Sequence, residues 1–179
     1  DGADELGQKG EDGQNFRRSF VLWSAVEQRK ARETTSYDSL LQDIERELLI
    51  DPALAAAEQE IQKDIKRTFP LLPGYVSRET ATRNVLIAYA RRNPGVGYCQ
   101  SLNFVAGALL LSELSESDAF FALCTLVEDV MPADYYSQEL NILGARVDQL
   151  VFGEVLQQHL PAVHAHLKKF GCPLSIFSL

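Results

Sequence analysis

Two side chains of this chain, Arg67 and Gln100, are of the types that a phosphoryl-transfer site uses. The arginine lies near the end of the segment IQKDIKRTFP at residues 61–70, and the glutamine ends the segment GYCQ at residues 97–100. A guanidinium can neutralise charge that develops on phosphate oxygens, and a carboxamide can orient an attacking water. These two segments are therefore the first candidates for a functional site.

A helical wheel places Arg67 away from the apolar face of its own segment. At about 100° per residue, Ile61 and Ile65 share one face, and Asp64 lies between that face and Arg67. Because Asp64 precedes Arg67 by three positions, its carboxylate is within reach of the guanidinium. Asp64 could thus hold Arg67 extended and leave donor nitrogens free for a phosphate.

Each motif also has an ordinary structural interpretation. Asp64 and Arg67 could form a surface ion pair that closes a helix, worth less than about 1 kcal/mol. Gln100 precedes an apolar segment and could cap a backbone group there. Cys99 has no neighbouring base in the sequence and is expected to be a small buried side chain rather than a nucleophile. Spacing alone leaves the functional and structural interpretations open.

The apolar pattern that must position these motifs is helical along the chain, with no convincing alternation of period two. We therefore predict an all-α protein of about eight helical segments. The almost uniformly apolar segment 102–111 is expected to be the centre of the core. The predicted helices are one anchored by Trp23, one from Tyr37 to Leu48, one over 53–66 capped by Asp51, one from Ser77 to Arg92, the core helix over 102–111, one capped at Ser115, and two stripes over 140–151 and 156–167.

Length and charge favour one globular domain and argue against several functions. A chain of 179 residues can bury a substantial core, whereas residues 1–14 are acidic and glycine-rich and are expected to form a flexible lead-in. The net charge of −8 argues against a general nucleic-acid binder. The three cysteines form no Cys-x-x-Cys pair, and the spacing of the three histidines does not favour a metal site.

The apolar runs of the chain are short. The longest, residues 104–111, has eight residues, fewer than the roughly 20 that a membrane-spanning helix needs. The first residues also lack the pattern of a secretory signal. We expect a soluble, cytoplasmic protein without membrane insertion, which could lie peripheral to endomembranes through its partners.

The two motifs resemble the signature motifs of the TBC-domain family, whose members are GTPase-activating proteins for Rab GTPases. These are IxxDxxRTFP at residues 61–70 and YCQ at residues 98–100. The resemblance spans roughly residues 23–179 and implies an all-helical TBC fold over residues 15–179, incomplete at the C-terminus. Further segments that are similar to family positions, in the same order, are residues 84–89, 93–94, 102–103, 118–120 and 160–161.

The resemblance also implies a mechanism and a partner. Arg67 would be an arginine finger and Gln100 a glutamine finger, both inserted in trans into a GTP-bound Rab-family GTPase. Asp64 would orient Arg67, Tyr98 would position the turn that carries Gln100, and Ile61 would anchor the finger helix. GTP and Mg²⁺ would belong to the partner, so no cofactor of its own is expected. The implied biological context is vesicle trafficking.

One position departs from the family pattern and keeps a second function open. Ser101 follows Gln100 where the family commonly has glycine, so a serine could restrict the turn if the backbone there needs a positive φ. Ser101 could instead cap the core helix. The alternative function is a non-catalytic helical adaptor of the same fold that binds a small GTPase or another protein.

Overall fold

The chain is described by a computed structural model that covers residues 23–72, 74–133, 135–136 and 143–174. Within these ranges it contains helices and no β-strand, which confirms the all-α prediction. The expected flexible lead-in over residues 1–14 lies outside the described residues. The α-helices are α1 (residues 23–32), α2 (Tyr37–Leu41), α3 (Ile44–Ile50), α4 (Pro52–Ile65), α5 (Glu79–Arg92), α6 (Leu102–Leu111), α7 (Glu116–Thr125), α8 (Leu143–His159) and α9 (Pro161–Lys169).

Helix α5 is the centre of the core, so the expectation that α6 would hold this position was wrong. Residues 85–90 of α5 are buried without interruption, and α5 contacts α2, α4, α6 and α7. Helix α6 buries one face, whereas Ala108 on another face is exposed. Apolar composition did not identify the central helix, because the packing of the other helices decides which helix is surrounded. Polar side chains on a central helix can be buried where they are hydrogen-bonded.

Polar side chains of α5 are hydrogen-bonded, which allows this helix to lie in the core. The Thr82 hydroxyl donates to the Arg78 carbonyl oxygen at 2.8 Å, and Asn84 Nδ2 donates to Glu116 Oε2 at 3.2 Å. At the other end, Arg92 Nη1 donates to Glu128 Oε1 at 2.6 Å. Glu128 lies in a π-helical turn, Leu126–Val130, that continues α7. The bonds of Asn84 and Arg92 tie α5 to α7 and to its π-helical extension.

Helix α4 forms as the sequence predicts and leads to the first motif. The Asp51 carboxylate caps its first turn by accepting from the backbone N–H groups of Ala53 and Leu54 at 2.9 and 3.1 Å. The predicted apolar stripe is buried, and Ile61 has no exposed surface. The helix therefore enters the core along one face and ends at Ile65, two residues before Arg67.

Two expectations for the first helices were wrong. The segment from Tyr37 to Leu48 forms two helices, because Asp43 adopts a left-handed backbone with φ of 58° between them. Trp23 is 41% exposed and does not anchor α1, whereas Val26 is buried. Arg29 adds polar anchorage by pairing with Glu128 and Asp129.

Helices α8 and α9 correspond to the two apolar stripes predicted over residues 140–151 and 156–167, but the boundary between the two helices lies later in the chain than predicted. Leu156 belongs to α8, and the break falls at Leu160, ahead of Pro161; residues 140–142 lie outside the described residues. These two helices pack against one another. No described helix is both long and apolar enough to cross a membrane. The large apolar side chains that remain exposed on this pair and at the caps of α9 are Leu143, Val147, Leu150, Val151, Phe152, Val155, Leu160, Val163 and Phe170.

The burial of Ile61 predicts a large loss of stability when this side chain is truncated. Ile61→Ala should lower the free energy of unfolding by about 2–5 kcal/mol, because it removes transfer energy and leaves a cavity. Ile50→Ala is the matched control, since Ile50 is 67% exposed and should change stability by about 0.5 kcal/mol or less. Urea unfolding of both variants checks the difference. Equal losses would contradict the role of Ile61 as the anchor of α4.

Candidate functional site

Arg67 lies in the turn that directly follows α4 and is held by a buried carboxylate. Its Nε donates to Asp64 Oδ1 at 2.8 Å, and its Nη2 lies 2.5 Å from the same oxygen. The Arg67 side chain is 60% exposed, whereas that of Asp64 is 4% exposed. The i to i+3 pair expected from the wheel is therefore present. It joins an exposed cation to a buried anion, unlike an ordinary surface ion pair.

The chain turns sharply just after Arg67, at Phe69. This residue has φ of 42°, in the left-handed region that non-glycine residues rarely adopt. Its ring packs edge-on against Tyr75 and Phe104, with ring centroids 5.6 and 5.3 Å away. Gly107 makes room, because a Cβ there would lie 3.0 Å from the Tyr75 ring and 3.2 Å from that of Phe69. Aromatic packing thus fixes the backbone that carries Arg67. We call residues 66–70 the arginine loop.

The second motif lies on the loop between α5 and α6. Asn93 starts the loop by accepting from the Gly97 backbone N–H at 2.7 Å, and Gly97 has φ of 58°. Gln100 is exposed near the end of this loop, and within the described residues its carboxamide has no hydrogen-bond partner. The structure therefore does not support the interpretation of Gln100 as a cap. We call residues 97–101 the glutamine loop.

Ser101 adopts the conformation that glycine would favour. Its φ and ψ are 92° and −26°, so the position that follows Gln100 does require a positive φ. Ser101 is the residue before the first turn of α6, but its side chain makes no capping hydrogen bond. The expectation that the serine hydroxyl would cap this helix was wrong.

Tyr98 connects the two loops through Asp64. The Tyr98 hydroxyl donates to Asp64 Oδ2 at 2.6 Å, while Arg67 occupies Oδ1. Burial, followed by the hydrogen bond to Asp64, raises the pKa of the Tyr98 phenol well above its ordinary value. The hydroxyl therefore remains protonated and acts as a donor. The carboxylate of Asp64 bridges the two motifs that the sequence analysis selected.

Asn103 is a residue of this site that the sequence analysis did not select. Its Nδ2 donates to Thr68 Oγ1 at 2.6 Å, and its Oδ1 accepts from the Ser101 backbone N–H at 3.1 Å. The Tyr98 hydroxyl lies 3.3 Å from the same Oδ1. A signal was available, since Asn103 is the one polar residue of the segment LNFVAGALLL, and a buried amide needs partners. The sequence spacing of Asn103 did not indicate which residues its amide would bind.

The remaining groups near the motifs do not suggest other chemistry. Burial raises the pKa of the Cys99 thiol, which disfavours the thiolate that nucleophilic attack would need. Across the part of the chain that the structure describes, no group of three His, Cys, Asp or Glu side chains is arranged to hold a metal ion. The arrangement offers an exposed guanidinium and an exposed carboxamide on two joined loops. Their catalytic roles, and the supporting roles of Asp64, Tyr98 and Ile61, stay predictions.

Removal of the Tyr98 hydroxyl should destabilise the protein. Tyr98→Phe leaves Oδ2 of the buried Asp64 without its donor, and we expect a loss of about 1–3 kcal/mol in unfolding free energy. Tyr75→Phe is the matched control. Tyr75 is also buried, at 1% exposed against 8% for Tyr98, but its hydroxyl has no hydrogen-bond partner among the described residues, so removal of that hydroxyl should be neutral or stabilising. Chemical denaturation of both variants tests this, and similar losses would count against the bond to Asp64.

The chain has clear relatives among known proteins. It is similar to TBC1 domain family member 2B of Xenopus tropicalis, with 42% identity over 118 residues, which are 64% of this chain and 12% of that protein. It is also similar to human Growth hormone-regulated TBC protein 1, with 36% identity over 171 residues, which are 92% of this chain and 47% of that protein. The chain thus spans less than half the length of both relatives.

A solved structure and a family model complete the comparison. The similarity to the crystal structure of the Ypt/Rab-GAP domain of Gyp1p has a TM-score of 0.47 at 16% identity, over 96% of this chain and 56% of that chain. The model of the Rab-GTPase-TBC domain matches residues 16–179, which is most of the sequence, and confirms the resemblance seen in the two motifs. The chain belongs to the Rab-GTPase-TBC domain family.

Proposed function

We propose that this chain carries the catalytic site of a GTPase-activating protein that accelerates GTP hydrolysis by a Rab-family GTPase in vesicle trafficking. The observation that carries the proposal is the asymmetry of the site. Arg67 and Gln100 are exposed, whereas the Asp64 and Tyr98 side chains that join their loops are buried. Two polar side chains presented to solvent from a fixed support are suited to enter the active site of another protein.

In this proposal Arg67 stabilises the charge of the transition state. As the γ-phosphoryl group of the bound GTP is transferred, negative charge develops on the phosphate oxygens, and a guanidinium supplied in trans neutralises it. Asp64 engages Nε and Nη2 of Arg67, while Nη1 has no partner among the described residues. Asp64 therefore orients the guanidinium and leaves donor capacity on the side that faces solvent.

Gln100 positions the nucleophile in the same proposal. Its carboxamide would accept a hydrogen bond from the attacking water and donate one toward the phosphate, which is the task usually given to the GTPase's own glutamine. The water oxygen forms a bond to the γ-phosphorus, the bond to the oxygen that bridges β and γ breaks, and GDP and phosphate result. GTP and Mg²⁺ remain with the partner throughout. The chain supplies only the two side chains and their orientation.

The proposal predicts separate losses of activity for the two side chains. In single-turnover assays of the full-length protein with a panel of Rab GTPases, Arg67→Ala should reduce the acceleration by about 10³-fold or more. Gln100→Ala should reduce it by about 10²-fold or more, comparable to the loss of one electrostatic donor. Arg46→Ala and Gln42→Ala are matched controls, because both side chains are exposed and lie outside the two loops. These controls should keep the wild-type rate.

A GTPase variant separates the role of Gln100 from that of Arg67. If Gln100 orients the water, a Rab whose own catalytic glutamine is replaced by alanine should still be accelerated by the wild-type protein. The same Rab should not respond to Gln100→Ala. A failure of the wild-type protein on this substrate would contradict the proposed role of Gln100, even if Arg67 is essential.

The non-catalytic adaptor is the second candidate, and the backbone of Ser101 favours it. A serine held at φ of 92° makes the glutamine loop more strained than glycine would. Binding of a GTP-loaded Rab without any change in its hydrolysis rate would establish the adaptor and overturn the proposed catalysis. Ser101→Gly should then restore acceleration, because glycine relieves the backbone strain that favours the adaptor.

A further inference from the structure

We propose that Thr68 and Asn103 form a clamp that fixes the arginine loop and the glutamine loop in one relative position. The inference rests on the proposed function, because it assigns these side chains as positioning residues for Arg67 and Gln100. Thr68 follows Arg67 directly, and Asn103 bonds the backbone N–H of Ser101, which follows Gln100 directly. Neither side chain of the clamp would touch the nucleotide.

The clamp is buried and directly bonded. Thr68 and Asn103 are each 1% exposed, and Asn103 Nδ2 donates to Thr68 Oγ1 at 2.6 Å. Burial removes competing water, so a hydrogen bond here holds its geometry better than one at the surface. A second connection runs in parallel, from Tyr98 on the glutamine loop to Asp64 at the end of α4. Together these two connections, through Asn103 of α6 and Asp64 of α4, restrict the relative rotation of the loops as well as their separation.

The positions of the protons give the clamp a single arrangement. The Thr68 hydroxyl donates to the Asp64 carbonyl oxygen at 2.7 Å, so its oxygen is available only as an acceptor for Asn103. On the other side, the Ser101 backbone N–H is a donor and needs the carbonyl oxygen of the Asn103 amide. A flipped amide would place two donors against each other at Ser101 and two acceptors at Thr68. Asn103 is therefore held in one orientation by both loops.

The clamp also stabilises the strained residue beside Gln100. Ser101 is in the left-handed region, where a side chain makes the backbone unfavourable. The bond from its N–H to Asn103 helps to offset that cost. Loss of the clamp would allow the peptide at Ser101 to relax, and Gln100 would move with it. A substitution of Thr68, on the arginine loop, should thus change the position of Gln100.

Substitution of Thr68 tests the clamp with a close control. Thr68→Val removes the hydroxyl and preserves the shape of the side chain, whereas Thr68→Ser keeps the hydroxyl. Thr82→Val is the matched control, because Thr82 is also buried and its hydroxyl also donates to the carbonyl oxygen four residues earlier. Thr82 belongs to α5 and has no described hydrogen bond to either loop. The three variants separate loss of the clamp from loss of a buried hydroxyl in general.

The kinetic result expected for the full-length protein is a change in kcat without a change in KM. Thr68→Val should lower kcat for Rab-GTP hydrolysis by about 10-fold, as expected for one buried hydrogen bond, with KM within about twofold of wild type. Thr68→Ser and Thr82→Val should retain wild-type kcat. An unchanged kcat in Thr68→Val would overturn the clamp, as would an equal loss in Thr82→Val.

Hydrogen exchange at the Ser101 amide provides a measurement that does not depend on activity. In the clamp this N–H donates to Asn103, so Thr68→Val should accelerate its exchange by about 10-fold although the substitution lies on the other loop. Thr82→Val should leave it protected. If the wild-type protein accelerates no Rab, the proposed function fails, and faster exchange in Thr68→Val alone would still establish the clamp. Unchanged exchange would overturn it.

Discussion

The buried carboxylate of Asp64 is the charge on which the candidate site depends. A carboxylate that is removed from water needs a partner for each oxygen, because its desolvation is otherwise too costly. Asp64 meets this need with Arg67 on one oxygen and Tyr98 on the other. Only one end of the ion pair is in solvent, so the core, rather than the surface, determines where the guanidinium lies. Such a cation loses less conformational freedom on reaching a partner than a free surface arginine would.

The fold supports this carboxylate by bringing together two helix ends that are distant in sequence. Helix α4 ends at Ile65 and α6 begins at Leu102, while α5 contacts both from the centre of the core. Each end then has a residue with a left-handed backbone, Phe69 after Arg67 and Ser101 after Gln100. Such conformations cost roughly 1–3 kcal/mol each and persist where the surrounding packing determines them. Their position beside the two motifs is consistent with a site whose geometry is maintained against local preference.

Capping and periodicity rules that act within one helix predicted much of the fold from the sequence. They failed for features that depend on packing between helices. The Asp51 cap, the stripe of α4 and the contact between Asp64 and Arg67 follow from spacing within one helix. The apolar composition of α6 suggested the core centre, but α5 holds that place and accommodates polar side chains such as Asn84 through hydrogen bonds. The role of Asn103 was missed because it, too, depends on packing between segments that are distant in sequence. Its partners belong to separate loops, and no periodicity within a single helix reports such a contact.

The arrangement of the site also explains why neither motif could be interpreted alone. As an isolated helix end, Asp64 and Arg67 are indistinguishable from the ion pairs that close many surface helices. The contact from Tyr98 changes this, because it turns Asp64 from a local partner into the junction of two loops. The position of Arg67 is then linked to that of Gln100 through Asp64 and Tyr98. If both side chains act on one phosphate, they must arrive with a fixed separation, since effective positioning in a transition state tolerates displacements of well under about 1 Å. A junction buried in the core would meet that requirement before any partner binds.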